Sequence, residues 1–320
     1  MKKWRSIAWA AVLAIGLTVP APAAEYDRAL RAAQAEITET VSDSGAITRT
    51  LTRSPADREP AEDVLAQTRA ELVRLGLDEQ AVEKMEEDTL QDAARAETIA
   101  ASVAYYRLGA NGGAQMVAES TAQTEAERIN KANRQADGGG LRAAGRDGYI
   151  KVAAVTYPSD EVNYGYTTAA TFTRLTAEPA LGGEDVFRVA SDNCTFASRD
   201  ADGYVSYCRK TYSGRCLVSE KEIDVAMSPE LYAGDSGNVL GIGYGFDLPA
   251  ARSVSIASHQ TDIYADCYGY LLCRGITIDP AQGGFDHTAS YDHRSGAAAN
   301  ARILSIAAFR ILLPVLLCVL

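Results

Sequence analysis

From Gly148 onward the chain keeps returning to short runs rich in Tyr, Val, Thr and Ile, separated by turn residues every eight to twelve positions. "GYIKVAAVTY" (148–157), "DVFRVA" (185–190), "GYVSYC" (203–208) and "RCLVSEKEIDVAM" (215–227) have the length and residue types of strands. So do "NVLGIGYGF" (238–246), "SVSIAS" (253–258) and "YGYLLCRGITID" (268–279). In the fourth run Glu222, Asp224 and Ala226 alternate with Ile223, Val225 and Met227. One wet face and one buried face is the pattern of an antiparallel sheet. A mainly antiparallel β-domain over 148–295 follows.

Residues 25–137 read differently. They are rich in Ala, Glu, Arg and Gln, and they lack cysteine. Ser54 and Pro55 suit a helix start. Val64, Leu65, Thr68, Leu72 and Leu75 recur at spacings of three and four, which puts them on one helical stripe. Gly76 suits a left-handed stop and Asp78 a second cap. The second helix would carry Val82, Met85, Leu90, Ala94 and Val103 and end at Gly109, and a third would cover Ala114 to Arg134. "ADGGG" at 136–140 reads as a flexible joint, placing a linker at 138–147. The fold class expected is α+β: a helical N-terminal region followed by a disulfide-braced β-domain.

The expectation of disulfides rests on the two ends of the chain. Lys2, Lys3 and Arg5 precede an apolar stretch, Ile7 to Val19, and then Ala21-Pro22-Ala23. That is the pattern of a signal peptide spanning 1–24, cleaved near Ala23 or Ala24; an uncleaved anchor is the competing reading. An exported chain is localised to the periplasm or outer membrane, where thiols oxidise. Cys194, Cys208, Cys216, Cys267 and Cys273 are the disulfide candidates, with at least one bridge expected among the first three. No CxxC pair occurs, so no metal and no cofactor are expected. Residues 303–320 of the apolar tail (301–320) are apolar except for Ser305 and Arg310. A membrane anchor, a buried terminal helix and an ending foreign to the reading frame all fit that tail.

Charge narrows the partners. Loss of Lys2, Lys3 and Arg5 with the leader takes the formal charge from −11 to −14. Nucleic acid is excluded as a partner, because phosphate binding needs a basic surface.

"GDSG" at 234–237 is the stretch in which chymotrypsin-like proteases carry their nucleophile. A serine needs a base, and in that arrangement the histidine comes first. Here His259, His287 and His293 all follow Ser236. An α/β-hydrolase order exists in Ser236, Asp262 and His287, but that fold needs GxSxG at a strand-to-helix elbow. Gly, Asp, Ser and Asn also make ordinary tight turns, so the stretch reads as a turn. "DHTASYDH" (286–293) offers four potential metal ligands, Asp286, His287, Asp292 and His293, within eight residues and reads as a polar loop; "RDADG" (199–203) reads as a hairpin turn. Tyr204, Tyr207, Tyr212, Tyr264, Tyr268 and Tyr270 cluster around the cysteines and form a candidate binding surface, since tyrosine gives contact area at small entropic cost.

Two stretches, "DNCTFASRDADGYVSYCRKTYSGRCLVSEKEIDV" and "CRGITIDPAQGGFDHTASYDH", resemble the conjugal-transfer mating-pair stabilisation proteins, the TraN family, over residues 190–293. The resemblance implies an exported, outer-membrane-associated protein of a conjugative type IV secretion system. Its partners would be other envelope proteins or a recipient-cell surface protein, with membrane contact through 303–320. The family is longer and richer in cysteine, which makes this chain a short form. The function expected is therefore non-enzymatic, in mating-pair stabilisation or protein–protein contact. A periplasmic serine hydrolase using Ser236 and His287, or a generic secreted binding module, are the alternatives.

Overall fold

The computed structural model describes residues 36–53, 64–109, 114–136, 148–159, 165–176, 183–214, 216–233, 240–248, 252–255, 259–278, 284–294, 304–305 and 309–312. The leader, residues 138–147, Ser236, Cys318 and most of the tail lie outside these.

In chain order the first half contains β1 (Glu36–Val41), β2 (Ile47–Thr52), α1 (Val64–Leu75), α2 (Glu79–Glu83), α3 (Glu87–Arg95), β3 (Thr98–Leu108), β4 (Ala114–Val117) and α4 (Glu119–Ala136). It continues with β5 (Gly148–Pro158), β6 (Gly165–Arg174), β7 (Gly183–Ser191), β8 (Cys194–Phe196), β9 (Asp202–Ser213) and β10 (Cys216–Met227). The rest is β11 (Glu230–Ala233), β12 (Leu240–Leu248), β13 (Arg252–Ser255), β14 (Gln260–Thr277), β15 (Gly284–Arg294), β16 (Leu304–Ser305) and β17 (Phe309–Leu312). The larger sheet, A, orders its strands β1-β2-β3-β5-β6-β14-β9-β10, with β4 beside β3 and β8 and β13 beside β14. The smaller sheet, B, runs β11-β12-β7-β15-β16, with β17 also on β15.

Sheet A is the middle of three layers. Side chains alternate across a strand, so each central strand feeds two cores. Ile99, Val103, Tyr149, Val155 and Tyr157 pack under helix residues such as Leu72, Leu75, Val82 and Leu90. Tyr106, Ile150, Val152, Phe172 and Leu271 pack against Phe187, Val189, Tyr244 and Tyr291 of sheet B. Phe172 sits within 5.3 Å of the rings of Phe187, Phe246 and Tyr291, at the centre of that second core.

This arrangement corrects the expected fold class. The N-terminal region is not a helical unit: β1, β2, β3 and β4 are strands of sheet A, and the helices roof that same sheet. The run placed on the second helix breaks between α2 and α3, at 84–86, and again at Ala96, and Val103 lies in β3, opposite Ala153 of β5. β3 and β5 thus pair although β4, α4 and the rest of residues 109–147 come between them in the chain. Local helix signals nonetheless held at one junction. Gly76 has φ +121°, and Leu77 N–H closes back on Leu72 O at 3.2 Å, a left-handed stop. Asp78 then accepts from Gln80 and Ala81 N–H as the cap of α2.

The disulfide bracing is also corrected. Cys194, Cys208, Cys216, Cys267 and Cys273 are all free thiols. Register gives the reason for the hairpin pair: Cys216 lies opposite Ser213 and Cys208 opposite Glu222. Five ladder positions separate them, roughly 17 Å at strand spacing, whereas a bridge needs Cα atoms within about 7 Å. Packing between layers holds the sheets together instead. Finally, the described parts of the tail, 304–305 and 309–312, are short strands on β15 and not a terminal helix.

Candidate binding surface

Where sheet A outruns the layers on either side, β10, β9, β14 and β13 form an arm. Its cross-strand register aligns Leu217 with Tyr212, Tyr212 with Thr261, and Thr261 with Val254. This row crosses four strands on one face, the face the helices cover elsewhere. Leu217 is 49 % exposed and Val254 65 %, with Tyr212 and Thr261 partly buried between them, so among the described residues no other layer covers the ends of the row. β10 forms the outer edge, and ten of its twelve residues are exposed. The alternation expected for β10 exists, but Val225 on the supposed buried face is 37 % exposed.

The arm is anchored to the body through Lys84, at the end of α2. Its ammonium donates to Glu222 Oε1 at 2.7 Å and to both oxygens of Asp224, at 2.8 and 2.9 Å. It also lies 5.6 and 5.5 Å from the ring centres of Tyr204 and Tyr268. Burial alone would lower the Lys84 pKa, but hydrogen bonds to Asp224 and Glu222 hold it well above the usual lysine range. The same hydrogen bond from Lys84 lowers Glu222, which also accepts from Ser206 at 3.0 Å and Tyr268 at 3.1 Å. Farther out, Lys210 bridges Glu220 at 3.3 Å and Asp266 at 3.4 Å.

A second concave feature lies at the other end of β14. A cleft of about 560 Å³ runs between α3 and the 3₁₀ turn Ser198–Asp200. Asp88 and Asp92 line one wall, Asp200 and Asp202 the other, with Leu272 and Arg274 also lining it. Among the described residues no three His, Cys, Asp or Glu side chains stand close enough to hold a metal ion. Carboxylates and guanidinium groups in such a cleft can bind charged groups. "RDADG" supplies this 3₁₀ turn and the start of β9.

The six tyrosines do not share one surface. Tyr268 and Tyr270 are buried beneath the helices, and Tyr204 packs half-buried beside them. Tyr207 and Tyr264 stack edge-on, 5.8 Å apart, on the opposite face. Tyr212 belongs to the arm row. The cysteines divide too: Cys194, Cys267 and Cys273 are buried, Cys208 is half-buried and Cys216 is exposed. Burial pushes the thiols of Cys194 and Cys267 up to about 12 and that of Cys208 to about 11, so all three are protonated at neutral pH.

His287 lies between the sheets. Its Nδ1 is 3.1 Å from Thr156 Oγ1 and 2.9 Å from Thr168 Oγ1, and burial lowers its pKa to about 3. Such a ring is a weak proton acceptor. "DHTASYDH", read as a loop, is the core of β15. Asp262 accepts from Thr211 at 2.6 Å in the arm. His259 occupies the turn before β14 with φ +53°.

No protein-family model matches this chain, and no curated protein matches it. Among solved structures it is similar to the collagen-binding subdomain ACE19 of the Enterococcus faecalis surface protein ACE. The identity is 6 %, over 48 % of this chain and 90 % of that one, with a TM-score of 0.21. A likeness of that size carries no argument about fold or function. Among the described residues no helix is long and apolar enough to cross a membrane.

Proposed function

We propose that this is an exported, non-enzymatic envelope protein, of the periplasm or outer membrane, that works through protein–protein contact made by the arm of sheet A. The observation that carries the reading is the row Leu217–Tyr212–Thr261–Val254. It is apolar surface that the protein's own core does not use, beside a long open strand edge. The leader-type N-terminus supports export. The resemblance to mating-pair stabilisation proteins supports a place in a conjugative type IV secretion system, with another envelope protein or a recipient-cell surface protein as the partner.

The test is site-specific photocrosslinking in donor cells that carry the transfer machinery. A crosslinker at Leu217 or Val254 is expected to give one discrete adduct with an envelope or recipient-surface protein; at Phe172, inside the second core, it is expected to give none. Deletion of the gene is expected to lower mating in liquid culture. Absence of any arm adduct, with unchanged mating, overturns the reading.

A further inference from the structure

We infer that the outer edge of β10 receives an extended partner segment by strand addition, and that this segment alternates basic and apolar residues. The inference rests on the contact reading above and names the chemistry of the partner. Among the described residues β10 pairs with β9 on one side only and ends the strand order of sheet A. An unpaired edge offers backbone N–H and C=O groups that an incoming strand satisfies. β10 is twelve residues long, whereas β1, the opposite edge, has six.

Register dictates which side chains an added strand meets. Glu220, Glu222 and Asp224 occupy alternate positions on the helix side of β10, opposite Lys210, Cys208 and Ser206. With Asp266 they make four carboxylates against two ammonium groups, Lys84 and Lys210. That face keeps a negative surplus. On the other side, Ile223, Val225 and Met227 present apolar surface, with Met227 reaching the second core. On the helix side an added strand therefore meets the three carboxylates, and on the other side it meets Lys221 followed by the apolar run Ile223, Val225 and Met227. Opposite charges directly across a pair of strands stabilise the pairing and like charges oppose it. A second copy of β10 would bring carboxylate against carboxylate, so the occupant is a different, basic segment. β1 lacks the pattern, because its Glu36 and Glu39 fall on opposite faces.

The probe is a labelled nonapeptide of alternating Lys and Val, followed by fluorescence anisotropy on the full-length chain. Saturable binding is expected, about tenfold or more tighter than for alternating Glu and Val, since three favourable cross-strand pairs replace three unfavourable ones. A peptide of the same composition with its lysines in one block, and one N-methylated at alternate residues, are each expected to lose about tenfold, because strand addition needs both register and backbone bonds. Amide exchange should slow in residues 216–227 and not in 36–41. Glu220→Lys, a change at an exposed side chain, should weaken the alternating peptide with no change in the circular dichroism of the protein. Equal affinity for the blocked peptide, protection outside β10, or no saturable binding each overturns strand addition. If arm crosslinks persist in any of those cases, the contact reading stands and only its strand-addition form falls.

Discussion

Replacing His287 by glutamine should remove a pH dependence that burial builds into the core. The folded protein holds the ring neutral between Thr156 and Thr168, with a pKa near 3. In the unfolded chain a histidine takes its proton near 6.5. Between those values the unfolded state binds more protons than the folded one, so stability falls as pH falls. The contribution is complete above about pH 6.5 and is lost progressively toward pH 3. At about 1.4 kcal/mol per pH unit, acidification to pH 5 costs about 2 kcal/mol, and the whole window about 5 kcal/mol. Carboxylates titrate in the same range, so the measurement is a difference. Urea unfolding of wild type and His287→Gln is compared at about pH 7.5 and about pH 5. The gap in unfolding free energy should shift by about 2 kcal/mol in favour of the glutamine variant as pH falls. A gap that stays flat, or an imidazole resonance that titrates near 6.5 in the folded protein, refutes the reasoning.

Four further outcomes are expected. Arg53 is buried, paired with Glu71, and donates to the carbonyls of Ala93 and Ala96 at 2.8 Å; Arg53→Met should cost about 3–5 kcal/mol by stranding the Glu71 carboxylate, and Arg53→Met with Glu71→Met should recover much of it in urea titrations. A Cβ at Gly243 would stand 2.3 Å from the backbone oxygen of Phe187; Gly243→Ala should therefore lower stability by about 1–3 kcal/mol, read as the shift in thermal midpoint. Tyr244 donates to the carbonyls of Tyr204 at 3.1 Å and Tyr270 at 2.9 Å; Tyr244→Phe should cost about 1–3 kcal/mol in the same assay. With a thiol reagent, Cys216 should be modified in the native protein while Cys194, Cys267 and Cys273 are modified only on unfolding; peptide mapping that found any of them oxidised to each other would contradict the free-thiol structure.

Signals that act over a few residues were readable. Gly76 and Asp78 stop one helix and cap the next, because their effects lie within one turn of backbone. Runs with β-branched and aromatic alternation, such as 148–157 and 185–190, coincide with β5 and β7. β3 was hidden inside a helix-rich composition: "TIAASVAYYRL" is alanine-rich, and its pairing with β2, β4 and β5 makes it a strand. The open edge of β10 was equally invisible, since exposure of Val225 depends on what fails to pack there.

By itself, then, the sequence determined local periodicity, helix punctuation and the acidic balance of the chain. β6 shows what only the tertiary structure decided. "GYTTAATFTR" looks too polar for a core strand, yet Thr167, Thr168 and Thr171 are almost wholly buried. Thr167 donates to Asp92 of α3 at 3.0 Å, Thr171 accepts from Asp78 N–H at 3.1 Å, and Thr168 meets His287 of β15. A hydroxyl is costly to bury alone and tolerable once paired. Here the partners come from 75 to 119 residues away along the chain, from a helix layer on one face and a second sheet on the other. No local pattern could announce them.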